Sequence, residues 1–136
     1  MYKCKHFIIE ELVSSQTFKD RGDKAWQLLD DRILITLDRL REKYGSMTVN
    51  NWKWGGDREW SGLRTAESSY FSKYSQHSFG RAVDVIFKDV TAEEVRQEFL
   101  ANKDDEAFEF INSTELGVSW LHIDCRNVER IFSFYP

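Results

Sequence analysis

Apolar residues recur at spacings of three and four between Asp30 and Tyr44, the pattern of an amphipathic helix. Asp30 or Asp31 can cap the start of this helix, and Gly45 can end it in a left-handed conformation. Two shorter helical segments are predicted upstream, in IIEELVSSQTF and KAWQLL, with a turn at Arg21–Asp23 between them. The first third of the chain is therefore predicted to be helical.

The pattern changes after Gly45. MTVNNW is a short extended stretch that leads into a glycine- and tryptophan-rich loop, and GRAVDVIF alternates as a strand that carries Asp84 on a mostly apolar face. TAEE, which starts at Thr91, forms a capping box for a helix to Ala101, and DDEAFEFI predicts another short helix. GVSWLHIDCR and RIFSFYP predict two strands with a turn near Asn127–Glu129. This order predicts an α+β domain, with N-terminal helices packed on a small, largely antiparallel sheet.

The chain has 136 residues, of which 41% are hydrophobic and 15% aromatic. That is enough for one domain with a sizeable core, and no low-complexity tract marks a linker. We therefore expect a single domain over residues 1–136. No apolar run approaches the roughly 20 residues that span a bilayer, and the N-terminal segment lacks the features of a signal peptide. We expect a monomer without a membrane partner, made in the cytosol.

The charge balance bears on possible polymer partners. Nineteen Lys and Arg residues against 23 Asp and Glu residues give a formal net charge of −4. Proteins that bind nucleic acid backbones need a concentrated positive field, so this balance argues against them. The tryptophans of NNWKWGGDREW could stack on bases, but Asp57 and Glu59 offset Lys53 and Arg58. We expect no nucleic-acid partner.

Two of the three histidines lie in segments that also carry an aspartate. His77 and Asp84 flank Gly80 in SQHSFGRAVD, and the glycine would let the chain turn sharply before the strand. His122 and Asp124 are two residues apart in WLHIDCR, so they project from the same face of a strand. Two imidazoles and one carboxylate form a ligand set for zinc that leaves a fourth position to water. His77, Asp84 and His122 are the predicted ligands of one Zn²⁺.

Asp124 is the candidate for proton transfer beside this metal. A bound zinc ion activates water and polarises a carbonyl, which together support amide hydrolysis at neutral pH. Asp124 shares a face with His122 at about 7 Å along the strand, close enough to act as a general base or to orient a ligand. His6 has no partner nearby in the sequence and is interpreted as structural or solvated.

The segment SQHSFGRAVD resembles, at every fixed position, the SxHxxGxAxD signature of the zinc D-alanyl-D-alanine carboxypeptidase family. That family includes phage endolysin L-alanyl-D-glutamate peptidases and shares its fold with the hedgehog signalling domain. The resemblance implies zinc-ligand roles for His77 and Asp84, and for His122 in WLHID. SGLRT is similar to the family's SG[YFL]R segment, whose arginine approaches the substrate carboxylate or the oxyanion, so it implies that role for Arg64. The similarity extends over residues 48 to 126.

The resemblance implies a zinc metallopeptidase that cleaves peptide bonds of peptidoglycan stem peptides or their cross-links. A phage product of this kind would be carried in a virion or released to the cell wall. Many family members place a catalytic acid three residues before the last zinc histidine, where this chain has Ser119. Three interpretations remain: Asp124 is the base, Glu115 reaches in from the preceding turn, or the domain binds zinc without hydrolysis and has a structural or partner-binding role.

Overall fold

The computed structural model describes residues 1–136 and has an α+β fold, as predicted. Short 3₁₀ turns connect many of the regular elements. In chain order the helices and strands are α1 (Ser15–Arg21), α2 (Asp31–Tyr44), β1 (Met47–Thr48), β2 (Ala82–Phe87), α3 (Ala92–Ala101), β3 (Ser113–Glu115), β4 (Leu121–Asp124) and β5 (Phe132–Phe134).

The five strands form one mixed sheet in the order β1-β2-β4-β3-β5. The pairs β1/β2, β2/β4 and β3/β4 are antiparallel, which agrees with the prediction of a largely antiparallel sheet. The pair β3/β5 is parallel. Since β2 and β3 already occupy both edges of β4, the last strand crosses to the free edge of β3 and runs in the same direction as β3.

The three caps predicted for the two longer helices are confirmed. The Asp30 side chain accepts a hydrogen bond from the backbone N–H of Arg32, and Gly45 follows the last turn of α2 with φ of 82°. Thr91 and Glu94 form the capping box at the start of α3. A cap supplies partners for backbone N–H groups that the first helical turn leaves unpaired, so these residues fix where each helix begins.

Several local predictions were wrong. DDEAFEFI contains only a 3₁₀ turn at Glu106–Phe108, and KAWQLL lies largely in the 3₁₀ segment Gly22–Leu28. The segment IIEELVSSQTF is interrupted before α1, because the Ser14 side chain accepts from the N–H of Thr17 and starts a new helix there. Strand β3 was not predicted. Its sequence Ser-Thr-Glu has no apolar alternation, and it is a strand because it pairs with β4 and β5.

The hydrophobic core lies between the helices and one face of the sheet. It forms a single cluster of 25 buried residues. Helix α2 contributes its apolar stripe, and the inner faces of β2 and β4 contribute Val83, Val85, Leu121 and Ile123. Because side chains alternate along a strand, Asp84 and His122 point to the opposite face. None of the helices is long and apolar enough to cross a membrane.

Gly80 joins the loop that carries His77 to the helical layer. Its φ is +68°, and a Cβ atom at this position would lie 1.9 Å from the carbonyl oxygen of Leu28. The Gly80 carbonyl accepts a hydrogen bond from the N–H of Asp30 at 2.9 Å. The left-handed conformation and the close approach both require glycine here, which confirms the sharp turn predicted between His77 and Asp84.

Replacing Gly80 with alanine is expected to lower the free energy of unfolding by more than about 3 kcal/mol, because the new methyl group would overlap the Leu28 backbone. Gly55→Ala is the matched control. Gly55 also has a positive φ, 86°, but a Cβ atom there would have no neighbour within 4 Å. We expect that variant to lose only about 1 kcal/mol. Urea unfolding monitored by circular dichroism measures both, and equal losses would contradict the close-contact argument.

Candidate metal centre

The pairing of β2 with β4 brings a candidate metal ligand from each strand side by side. Asp84 is directly opposite His122 in the antiparallel register, and Ala82 is opposite Asp124. Directly opposite residues have Cβ atoms roughly 5 Å apart and share one face of the sheet. The small Ala82 side chain leaves room on this face for the carboxylate of Asp124. The register therefore makes Asp84 and His122 neighbours although they are 38 residues apart in sequence.

His77 reaches the same point from the 3₁₀ turn Gln76–Phe79, immediately before β2. Its ring is buried, and Nδ1 lies 2.9 Å from the carbonyl oxygen of Gly62. A carbonyl can only accept, so Nδ1 carries the proton and Nε2 is the nitrogen that faces the site. Nε2 lies 3.3 Å from Oδ1 of Asp84. This arrangement directs at the aspartate a nitrogen that could bind a metal ion.

His122 is held from both sides of its ring. Nδ1 lies 2.8 Å from Oδ1 of Asp84, and Nε2 lies 2.8 Å from Oδ2 of Asp124. The His77 and His122 ring centroids are 5.1 Å apart, and Phe134 packs edge-on against His122. The three buried residues His77, Asp84 and His122 offer ligand atoms that all lie within 4.8 Å of one another. They could hold one metal ion.

Asp124 lies behind His122, fully buried. Its Oδ1 accepts from Nε of Arg126 at 2.8 Å, and its Oδ2 accepts from Nη2 of Arg126 at 2.6 Å. Although burial opposes ionisation, hydrogen bonds from His122 and Arg126 lower the pKa of Asp124 to about 2. A carboxylate that binds the far nitrogen of a ligating histidine fixes that ring's orientation. This geometry favours the orienting role considered for Asp124 over proton transfer.

The charge state of His122 follows from these neighbours. Burial disfavours the imidazolium, but hydrogen bonds to Asp124 and Asp84 outweigh it and raise the pKa of His122 to about 9. Asp84 is also buried, yet the hydrogen bond from His122 and the proximity of the His77 ring hold its pKa well below the usual range. At neutral pH the metal-free site thus contains an imidazolium between two carboxylates. A cation that binds through Nδ1 must displace that proton.

Arg64, for which the family resemblance implies a substrate-facing role, lies at the edge of the same cluster. Nη2 donates to Oδ2 of Asp84 at 2.9 Å, and Nε donates to the Trp60 carbonyl at 2.7 Å. Its guanidinium group lies 6.0 Å from the centre of the Tyr70 ring. The hydrogen bond occupies the Asp84 oxygen that does not contact the histidines. Arg64 is therefore positioned beside the ligand set.

His77, Asp84, His122 and Arg64 line a cleft of about 720 Å³, open to solvent on the outer face of the sheet. Glu115 also lines it, while Ser119 lines a separate hollow beside α3. Continuing the β3/β4 register places Glu115 opposite His122, on the same face as the ligands. Glu115 thus lies on a strand and not on the turn that was predicted.

Arg126 is a cleft residue that the sequence predictions missed. The available signal was its spacing, two residues after Asp124 and four after His122, which places it on the ligand face of that segment. Its guanidinium group also lies over the rings of Phe132 and Phe134, at 5.4 and 4.9 Å from their centres. The contacts with the β5 phenylalanines could not be read from the sequence because β5 reaches this face only by crossing to β3.

Comparison with known proteins adds no relative of this chain. No protein-family model, curated protein or solved structure matches it. The candidate site therefore rests on the contacts described above, and the family resemblance of SQHSFGRAVD stays a prediction.

We expect the purified protein to bind about one equivalent of Zn²⁺, and His122→Ala to abolish this binding. Asp124→Asn should weaken zinc affinity by about 10- to 100-fold without abolishing it, because the amide no longer fixes the His122 ring as the carboxylate does. His6→Ala is the control, since His6 is exposed and paired with Glu42. Competition with a chelator of known zinc affinity measures each value.

The same titration has a pH dependence with a defined sign. Zinc affinity of the wild type should rise from pH 6 toward about 9, because less work is then needed to remove the His122 proton. An affinity that falls with pH over this range, or wild-type affinity in the His122→Ala variant, would contradict the assigned ligand set.

Proposed function

We propose that this protein is a zinc-dependent hydrolase of peptide bonds, acting on peptidoglycan stem peptides or their cross-links. The observation that supports it most is the buried cluster His77, Asp84 and His122 at the base of an open cleft that also contains Glu115 and Arg64. A purely structural metal site is closed by a full set of protein ligands, whereas a catalytic one has three and keeps a position open. The cluster has three.

The donor set suits zinc. Two imidazole nitrogens with one carboxylate oxygen match its preferred ligands, and both histidines have their remaining nitrogen held by an oxygen acceptor. When bound, the cation acts as a Lewis acid that activates water and polarises the scissile carbonyl. The protein's contribution is to orient the ligands, keep water access to one side and move the proton.

Glu115 is the proposed general base, in place of the acid that the related signature would put at Ser119. The other carboxylates of the ligand face are engaged, since Asp84 pairs with Arg64 and Asp124 with Arg126. Glu115 is partly exposed in the cleft beside His122. It can therefore take the proton from an attacking water and deliver it to the leaving amine, which a buried, doubly hydrogen-bonded Asp124 cannot do without breaking its contacts.

Arg64 is the proposed recognition group for negative charge on the substrate. Its guanidinium lies between Asp84 and the Tyr70 ring on the cleft wall, with Nη1 outside the two hydrogen bonds described. A guanidinium fork suits a carboxylate or a developing oxyanion. Stem peptides are short and rich in carboxylates, so this wall fits their chemistry.

The alternative is a metal-binding domain without hydrolytic activity, with a structural or partner-binding role. The position of Ser119 favours it, because this residue is exposed outside the cleft and cannot serve as a base. The two functions differ in one property. Only the hydrolase turns over substrate.

Zinc-loaded protein should release new amino groups from purified muropeptides, and a chelator should abolish this release. Glu115→Gln is expected to lower kcat by about 10²- to 10⁴-fold while zinc affinity stays near the wild-type value, because only proton transfer is lost. Glu129→Gln, a change at an exposed glutamate outside the cleft, is the matched control. Chromatography of the products with mass detection measures the rates.

Two outcomes would reject parts of this proposal. A zinc-loaded wild type with no turnover on any muropeptide would favour the non-enzymatic domain. Full activity in Glu115→Gln would exclude Glu115 as the base.

A further inference from the structure

A loop projects beside the cleft between Arg64 and His77. Its two ends are closed by a hydrogen bond from the N–H of Arg64 to the carbonyl of His77, at 3.1 Å. Within the loop, the Ser68 N–H donates to the Thr65 carbonyl. The hydroxyl of Ser78, just after the loop, donates to the Ser72 carbonyl at 2.7 Å. The loop is therefore compact, with its two ends held close together. The residues at these ends are His77, a candidate metal ligand, and Arg64, the candidate substrate-binding arginine. We call residues 65 to 76 the rim loop.

The rim loop exposes three aromatic rings within five residues. Tyr70 is 69% exposed, Tyr74 75% and Phe71 41%. Aromatic side chains gain much from burial, so three exposed rings on one ordered loop indicate a contact surface. The rest of the segment 67 to 75 consists of serines, one glutamate and one lysine, with no aliphatic residue. The surface is therefore aromatic and polar at once.

This surface is continuous with the cleft. Tyr70 and Tyr74 line the cleft wall, and the Tyr70 ring lies 6.0 Å from the Arg64 guanidinium. The ammonium group of Lys73 lies 5.5 Å from the centre of the Tyr74 ring. A ligand that touches Tyr70 and Tyr74 would therefore extend directly from whatever occupies the metal site.

We propose that the rim loop binds the sugar rings of a glycan strand, an N-acetylated hexosamine polymer, while the peptide attached to it enters the cleft. This inference rests on the proposed function, since it assumes a substrate in which peptide and glycan are joined. A pyranose presents a face of C–H groups that packs on an aromatic ring, and hydroxyl and amide groups at its edge that bond to serine hydroxyls. Rigid tyrosines among serines supply both kinds of contact at little cost in conformational entropy.

The composition of the loop favours this occupant over a bilayer. Segments that bind a membrane surface combine aliphatic with aromatic side chains, and no aliphatic residue is present between residues 67 and 75. The single lysine is balanced by Glu67, so the loop carries no basic cluster that would attract anionic lipid. A largely uncharged polymer of ring-shaped units therefore fits the exposed aromatic rings and serine hydroxyls of the rim loop.

The test compares two substrates that share the scissile bond, intact sacculi and the glycan-free stem peptide. The double variant Phe71→Ala/Tyr74→Ala leaves the contact between Tyr70 and Arg64 in place. It should lose at least about tenfold in kcat/KM on sacculi and less than about twofold on the free peptide. Tyr135→Ala is the matched control, because this tyrosine is 73% exposed and does not line the cleft. Equal losses on the two substrates, or no loss on sacculi, would overturn the glycan site.

Binding without catalysis separates this inference from the proposed function. Chelator-treated wild type should co-sediment with sacculi and be displaced by N-acetylglucosamine tetramer, and the double variant should bind at least about tenfold more weakly. A protein that cleaves neither substrate but binds in this way retains the glycan site and loses the hydrolase proposal. Binding that tetramer does not displace, or that anionic phospholipid vesicles displace instead, would overturn the glycan site.

Discussion

The antiparallel pairing of β2 with β4 is the constraint on which the candidate site depends. Its register places Asp84 opposite His122 and puts their side chains on the face away from the core. A shift of β4 by one residue would turn His122 into the core and bring Leu121 and Ile123 out to the cleft. The apolar residues on the inner face therefore fix the chemistry on the outer face, because the free energy of core burial holds the register.

The charged side chains on the outer face of the sheet alternate between positive and negative, which stabilises those that are buried. A continuous series of contacts runs from Arg126 to Asp124, His122, Asp84 and Arg64. A buried carboxylate without partners would be strongly destabilising, and each carboxylate here lies between two donors. This alternation preforms the ligand set without a cation. A cation held there would replace the His122 proton, and the candidate ligand atoms already lie within 4.8 Å of one another.

Much of this arrangement could be predicted from the sequence, because the signals are local. The periodic stripe and caps of α2, the capping box of α3 and the alternation in GRAVDVIF each depend on residues a few positions apart. The spacing of His77, Gly80 and Asp84 likewise indicated a turn followed by a strand. His122 was assigned from its place on a second strand, and the structure brings these residues together.

The parts that could not be predicted depend on long-range pairing. Strand β3 has no apolar pattern of its own, so neither its existence nor the placement of Glu115 beside His122 had a local signal. The parallel pairing of β5 follows from which strand edges remain free, and it brings Phe134 against His122. The sequence left two roles open for Asp124, general base or orienting group. Spacing along the strand shows that Asp124 and His122 share a face, but it does not show that Asp124 is the more deeply buried of the two.

X-ray absorption spectroscopy of the zinc-loaded protein tests the central claim most directly, since it reports the atoms bound to the ion. The account predicts a four-coordinate shell with two imidazole nitrogens and one carboxylate oxygen at about 2.0–2.2 Å, completed by a light atom from solvent. A shell with sulfur at about 2.3 Å, from Cys4 or Cys125, or one without imidazole scattering, would contradict it.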